Sequence, residues 1–210
     1  MYPQRHRPRE KIMEVLIHRP NLWFTADYHF GHYNILTLGR SRPFAHIDEM
    51  NEAIIDRHNA LVKPGDLVYN LGDFALKITQ SEAINLRRRL AGNIYLITGN
   101  HDSIAKSMPG SWVWMRELER IHPKIEGIPP ITLCHYAMRV WHGSHKGTWQ
   151  LYGHSHGMLP ELKGMLAFDV GVDCWDFSPV SIEQVARKMK AKMPEWEAYK
   201  ESLKNTGRAE

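Results

Sequence analysis

The residues of this 210-residue chain that could do chemistry gather at five points. They are Asp27-Tyr-His29, Gly72-Asp73, Gly99-Asn100-His101-Asp102, His135, and Gly153-His154-Ser-His156-Gly157. Each follows a short apolar run: LWFTA, LVYNL, IYLIT, ITLC and WQLY. Singly, most have a bland meaning. An Asp after glycine or an Asn is a common turn residue, and a lone His135 is more often a strand end than a ligand. Five in one chain point to a built site. Imidazole nitrogen and carboxylate oxygen together suit manganese, iron, zinc or nickel better than calcium, which prefers oxygen alone. In D-x-H and H-x-H, an extended chain would point both side chains the same way, toward one cation or a neighbouring pair. A carboxylate can bridge two cations with its oxygens; a neutral imidazole cannot. Two cations about 3.5–4 Å apart polarise a phosphoryl group and favour in-line attack on it. Glycines 72, 99, 153 and 157 permit sharp turns and close backbone approach at these points.

Strands must deliver these clusters. Leu22–Ala26, Leu67–Leu71 and Ile94–Thr98 are apolar runs of strand length. Between them, Asp48–Val62 has helical apolar spacing with Asp48 as cap, and Ser81–Leu90 follows with Ser81 as cap and Gly92 past its end. Strand, helix, strand, helix, strand predicts a parallel sheet with ligands at the carboxyl ends of its strands. Further on, Ser111–Arg120 reads as a helix carrying Trp112 and Trp114. Ile131–Cys134, Trp149–Tyr152 and Met165–Val172 read as strands. A terminal helix starts at Ser181, broken or kinked at Pro194. No linker divides the chain. The expectation is one domain over 1–210, with a basic N-terminal segment (1–20) and a C-terminal helix (181–204).

In this order, D-x-H, G-D, G-N-H-D, a lone His and G-H-x-H, the chain resembles the calcineurin-like metallophosphoesterases. FTADYHFGH followed by Arg42-Pro43-Phe44 resembles their small bacterial and phage phosphoesterases. The resemblance implies an α/β fold, a four-layer α-β-β-α sandwich of two mixed sheets flanked by helices. It implies two divalent transition metal ions, manganese first, with iron, zinc or nickel as alternatives. Asp27, His29 and His156 would hold one metal; Asn100, His135 and His154 the other; Asp73 would bridge. His101 would be a catalytic group facing phosphate with Asn100, and Asp102 a catalytic partner orienting His101. His32 would contact phosphate or stand behind the ligands, a helix-capping role being the alternative. Arg42 would clamp substrate with its guanidinium fork, or be a solvated loop charge. The implied activity is hydrolysis of phosphate mono- or diesters by a metal-activated hydroxide at a dinuclear site. Many relatives continue the second block as G-D-x-x-D-R-G. Here it reads Gly72-Asp73-Phe74-Ala75-Leu76-Lys77, which lacks that second Asp and that Arg. This argues against protein-phosphatase activity and for small or extended phosphoesters.

Composition bounds the partners. Net charge is +4 with neutral histidines, and 43% of residues are hydrophobic, ordinary for a globular protein. Arg5, Arg7, Arg9 and Lys11, and Arg187, Lys188, Lys190 and Lys192, read as solvated termini before they read as a nucleic-acid arm. The expected partner is a small phosphorylated substrate or nucleotide. Nucleic acid is the alternative, prompted by seven tryptophans, with Trp141 the stacking candidate. A non-catalytic scaffold of the same fold is a third reading, disfavoured because every ligand is present. No apolar run is long enough to span a membrane, and Cys134 and Cys174 read as buried thiols, so the expected location is cytoplasmic. His142, His145 and Lys146 read as an ordinary loop.

Overall fold

The computed structural model describes residues 21–38 and 41–205; the basic segment 1–20 lies outside them. β1 (Leu22–Thr25), β2 (Leu67–Asn70) and β3 (Asn93–Ile97) run parallel, as the alternation with helices requires. The crossovers are α1 (Ile47–Leu61) and α2 (Gln80–Arg89). α1 buries Met50, Ile54 and His58, spaced one turn apart on one face. Its cap is His46 and not Asp48, which sits in the first turn. α2 is capped by Thr79 and not Ser81: the Thr79 side chain accepts from Glu82 N–H and the Glu82 carboxylate accepts from Thr79 N–H. A short α3 (Ser103–Lys106) follows the third strand.

Residues 111–120 are not a helix. β4 (Met115–Arg116) pairs with β3, and β5 (Leu118–Ile121) pairs with β6 (Ile131–Cys134), so the chain crosses here from one sheet to the next. The Trp114 ring packs 5.2 Å from Tyr95 and 5.9 Å from Tyr69, and this long-range packing outweighs the local helical pattern. β7 (Trp149–Tyr152) and β8 (Ala167–Asp169) complete the second sheet, in the order β5-β6-β7-β8. β9 (Val180–Ser181) returns antiparallel to β1, giving the first sheet the order β4-β3-β2-β1-β9. α4 (Ile182–Asn205) then runs on through Pro194 without ending there.

The fold is therefore α/β, two mixed sheets in a sandwich flanked by helices. One face of the first sheet (Val68, Ile94, Leu96) meets α1, α2 and α3. Its other face (Leu22, Phe24, Ile97) meets Ile131, Leu133, Leu151 and Phe168 of the second sheet, joined by Val185 and Met189 of α4. The loop after β6 returns over the outer face of the second sheet. There buried Gln150 accepts from Met138 N–H and donates to Tyr136 C=O. Among the described residues no helix is long and apolar enough to cross a membrane. No disulfide joins Cys134 and Cys174, and Cys174 is exposed, not buried.

Candidate metal centre

The two sheets bring their strand ends together, and the loops there are stitched to one another. Asp27 N–H donates to Gly72 C=O, His29 N–H to Asp73 C=O, and Gly153 N–H to His135 C=O. The loops then leave the extended backbone. Asp27, His29, Asp73, His154 and His156 all have φ between +47° and +67°. D-x-H and H-x-H are therefore not extended pairs, as the spacing had suggested. The strands have already ended, and left-handed residues turn the side chains inward, a conformation that non-glycine residues adopt rarely. Room is made by glycine. At Gly72 (φ +104°) a Cβ would lie 2.5 Å from His135 Nδ1, and at Gly99 one would lie 2.3 Å from Asp73 Oδ1.

Two groups of ligand atoms result. Asp27, His29 and His156 form one; Asp73, His135 and His154 form the other; within each, the atoms lie inside 4.8 Å of one another. Asp73 Oδ2 is 3.5 Å from His29 Nε2 and 3.5 Å from His135 Nε2, midway between the groups. Its other oxygen, Oδ1, accepts from His101 N–H at 2.9 Å. Asn100 Oδ1 is 3.1 Å from His135 Nε2, beside the second group. All seven sequence-expected ligands thus share one site.

The electrostatics fit a cation. Asp27 is fully buried, and burial pushes its carboxyl up to about 7, against the nearby His156; both its oxygens face His154 N–H. Burial would also raise Asp73, but hydrogen bonding and charge from His135, the His101 N–H and His29 hold it down to about 2. Burial lowers His29 to about 2, so it is neutral and its lone pair is available. Neither His29 ring nitrogen has a hydrogen-bond partner although both are buried, an orphaning that a bound cation would relieve. His135 donates Nδ1–H to Leu71 C=O at 2.7 Å, which leaves Nε2 facing Asp73. His156 is set the same way, with Nδ1 2.7 Å from Asp173 Oδ2.

Asp173 was not among the sequence-expected residues, nor was Asp169. Asp169 accepts from Gly157 and Gly171 N–H and so fixes the loops flanking His156 and Asp27. The signal was present: β8 also ends in Asp before Gly, in Asp169-Val-Gly171-Val-Asp173. Tyr136 was missed as well. It is 45% exposed beside His154, and its hydroxyl is 3.4 Å from Asn100 Oδ1.

Two expected roles are corrected. Arg42 is no substrate clamp: its guanidinium is fully enclosed, with Nε and Nη2 on the Asp173 carboxylate and Nη1 and Nη2 on Tyr28 and Asp27 C=O. Every direction it could offer a phosphate is already used inside the protein. Asp102 does not orient the His101 ring. It is buried, and its carboxylate accepts from Asp73, Phe74 and Gly99 N–H, pinning the second and third loops together. His101 and His32 do stand at the site, their rings 5.6 and 5.4 Å from His29. Burial lowers His32, which keeps it neutral.

No family model matches the chain. It is similar to the uncharacterized protein MJ1445 of Methanocaldococcus jannaschii, 29% identical over 175 residues, 79% of this chain and 89% of that one. In structure it is similar to AQ665 of Aquifex aeolicus, a protein of unknown function, with a TM-score of 0.63 and 20% identity, covering 80% of this chain and 99% of that one. At that identity the likeness speaks for the fold.

Proposed function

We propose that the chain is a metal-dependent phosphoesterase of the calcineurin-like kind, acting on small phosphate mono- or diesters with two divalent transition metals, manganese first. One observation carries the reading: Asp73 Oδ2 stands 3.5 Å from a histidine nitrogen of each ligand group, His29 Nε2 and His135 Nε2, where a bridging carboxylate is needed. Asp27, His29 and His156 would hold one cation, and Asn100, His135 and His154 the other. When bound, such a pair supplies Lewis acidity to the phosphoryl oxygens and lowers the pKa of water.

The protein's own groups then divide the work. Asp73 Oδ1 holds the His101 backbone, which fixes where that half-exposed ring stands. His101 is placed to donate a proton to the departing oxygen or a hydrogen bond to phosphate. His32 lines the same side. Arg42 cannot meet the phosphate charge, so the cations and His101 must. Two of the tryptophans that, with the basic ends, prompt the nuclease reading are not open stacking surfaces. Trp149 lies in the core, and Trp141 is 5% exposed with its N–H on Thr148.

The test strips the protein of metal and supplies manganese, nickel, zinc and magnesium separately, against phosphomonoesters, cyclic nucleotides and bis-p-nitrophenyl phosphate. Turnover should vanish on stripping and return with a transition metal. Undiminished turnover by the stripped protein overturns the reading.

A further inference from the structure

Away from the ligand groups, α4 leans on two loops and encloses a cavity of about 560 Å³. None of the candidate ligands lines it. Its shape is set by glycine. Gly147 (φ +84°) lies under the Trp196 ring, where a Cβ would be 3.3 Å from it, and Gly164 (φ +74°) lies under Tyr199, where a Cβ would be 2.5 Å away. Trp141 forms part of the wall and is fixed by its N–H on Thr148. Leu162, Met165 and Leu166 supply further apolar lining.

Two independent features mark this place. Large apolar side chains stand open at its rim: Val140 is 70% exposed, Leu162 51% and Tyr199 47%. Clustered apolar exposure of this kind usually marks a binding surface. The charged lining is all of one sign: Arg139, Lys163, Lys200 and Lys204, with no acidic residue among them. Lys204 is paired with Glu201 at 3.0 Å. Arg139, Lys163 and Lys200 have no ion pair among the described residues, and Lys200 Nζ stands 4.8 Å over the Trp196 ring. The volume falls within the roughly 300–1,000 Å³ of small-molecule sites.

We propose that this cavity is a second ligand site, for a small soluble amphipathic anion: an aromatic or short acyl body against Trp141, Trp196 and Met165, and one carboxylate, sulfonate or phosphate head at Lys200. The apolar wall accounts for the body and the unpaired cations for the head. Neither needs the metal centre.

The probe is 1-anilinonaphthalene-8-sulfonate, titrated fluorimetrically into the full chain. Expected is saturable one-to-one binding with a blue-shifted emission, weakened by salt, displaced by decanoate and far less by decanol. Lys200→Glu should weaken it about tenfold or more, as for a lost charge-assisted contact. Met165→Trp, which fills the space against the apolar wall, should weaken it at least as much. Both variants should keep wild-type metal stoichiometry and circular dichroism. Non-saturating binding, equal displacement by decanol, or indifference to Lys200→Glu overturns the proposal. So does binding of decyl chains only within anionic phospholipid vesicles, or self-association of the chain that Lys200→Glu abolishes.

Discussion

The two halves of the candidate metal centre are built differently. Asp27, His29 and His156 are backed by a layer of charge: Asp173 on His156, Arg42 on Asp173, and Arg42 again on the Asp27 and Tyr28 carbonyls. The other half has His135 on a backbone carbonyl, and His154 and Asn100 are exposed. One half is closed and pre-set; the other is open at its edge, beside Tyr136. The difference teaches where exchange with solvent should occur. The closed half should hold its cation tightly and release it slowly, whereas the open half should lose its cation first and present the face where substrate arrives.

Asp73 Oδ2 reaches a histidine of each half, so Asp73→Ala should have the largest effect if it bridges as proposed. Both cations should be lost and activity should fall by at least about 10³-fold, beyond the loss of a single electrostatic contact. Two cations retained in elemental analysis would break the bridging assignment. Next is Asp173→Asn, which should strike only the closed half. Affinity there should drop about 10–100-fold in two-site calorimetry, as for other outer partners of metal-binding histidines, with the open half unchanged. Equal weakening of both sites would mean that the variant merely loosens the fold.

Acid should undermine the closed half next. Tyr28, between Asp27 and His29, has its hydroxyl 2.7 Å from His58 Nδ1, and burial holds His58 down to about 4. The folded state thus binds fewer protons at His58 than the unfolded state between pH 6.5 and 4. The stability linked to its neutral burial is fully present above pH 6.5 and is lost as pH falls toward 4. At pH 5 that is about 2 kcal/mol. Asp27, with its raised value, works in the opposite direction, so the quantity to measure is a difference. Urea midpoints of the metal-stripped chain at pH 7.5 and 5.0 should separate by less in His58→Gln than in the wild type. Parallel shifts would remove His58 from this account.

The strands and the seven clustered candidate ligands were legible because apolar runs ending in His, Asp or Asn are local patterns. The backing layer was not. Asp173 and Arg42 lie 131 positions apart, and no spacing rule relates them. For the same reason Arg42 looked like a free fork and Asp102 like a partner of its neighbour. A charge's use depends on which atoms of a distant loop it reaches. The misread 111–120 segment is a similar case, settled by Trp114 meeting the tyrosines of β2 and β3. The left-handed backbone of the candidate ligands was hidden because Asp and His adopt that conformation in only a small minority of cases, whereas glycine adopts it freely.

That conformation has a consequence for how the protein tolerates change. A non-glycine residue held in the left-handed region costs of order 1–3 kcal/mol, and five such positions meet at this centre. The site is thus a reservoir of instability that a bound metal would offset. In the metal-stripped chain, His154→Gly should raise the melting temperature while abolishing metal uptake at its group, the opposite of what a purely structural residue does when removed. A stability screen blind to metal would select against the site itself.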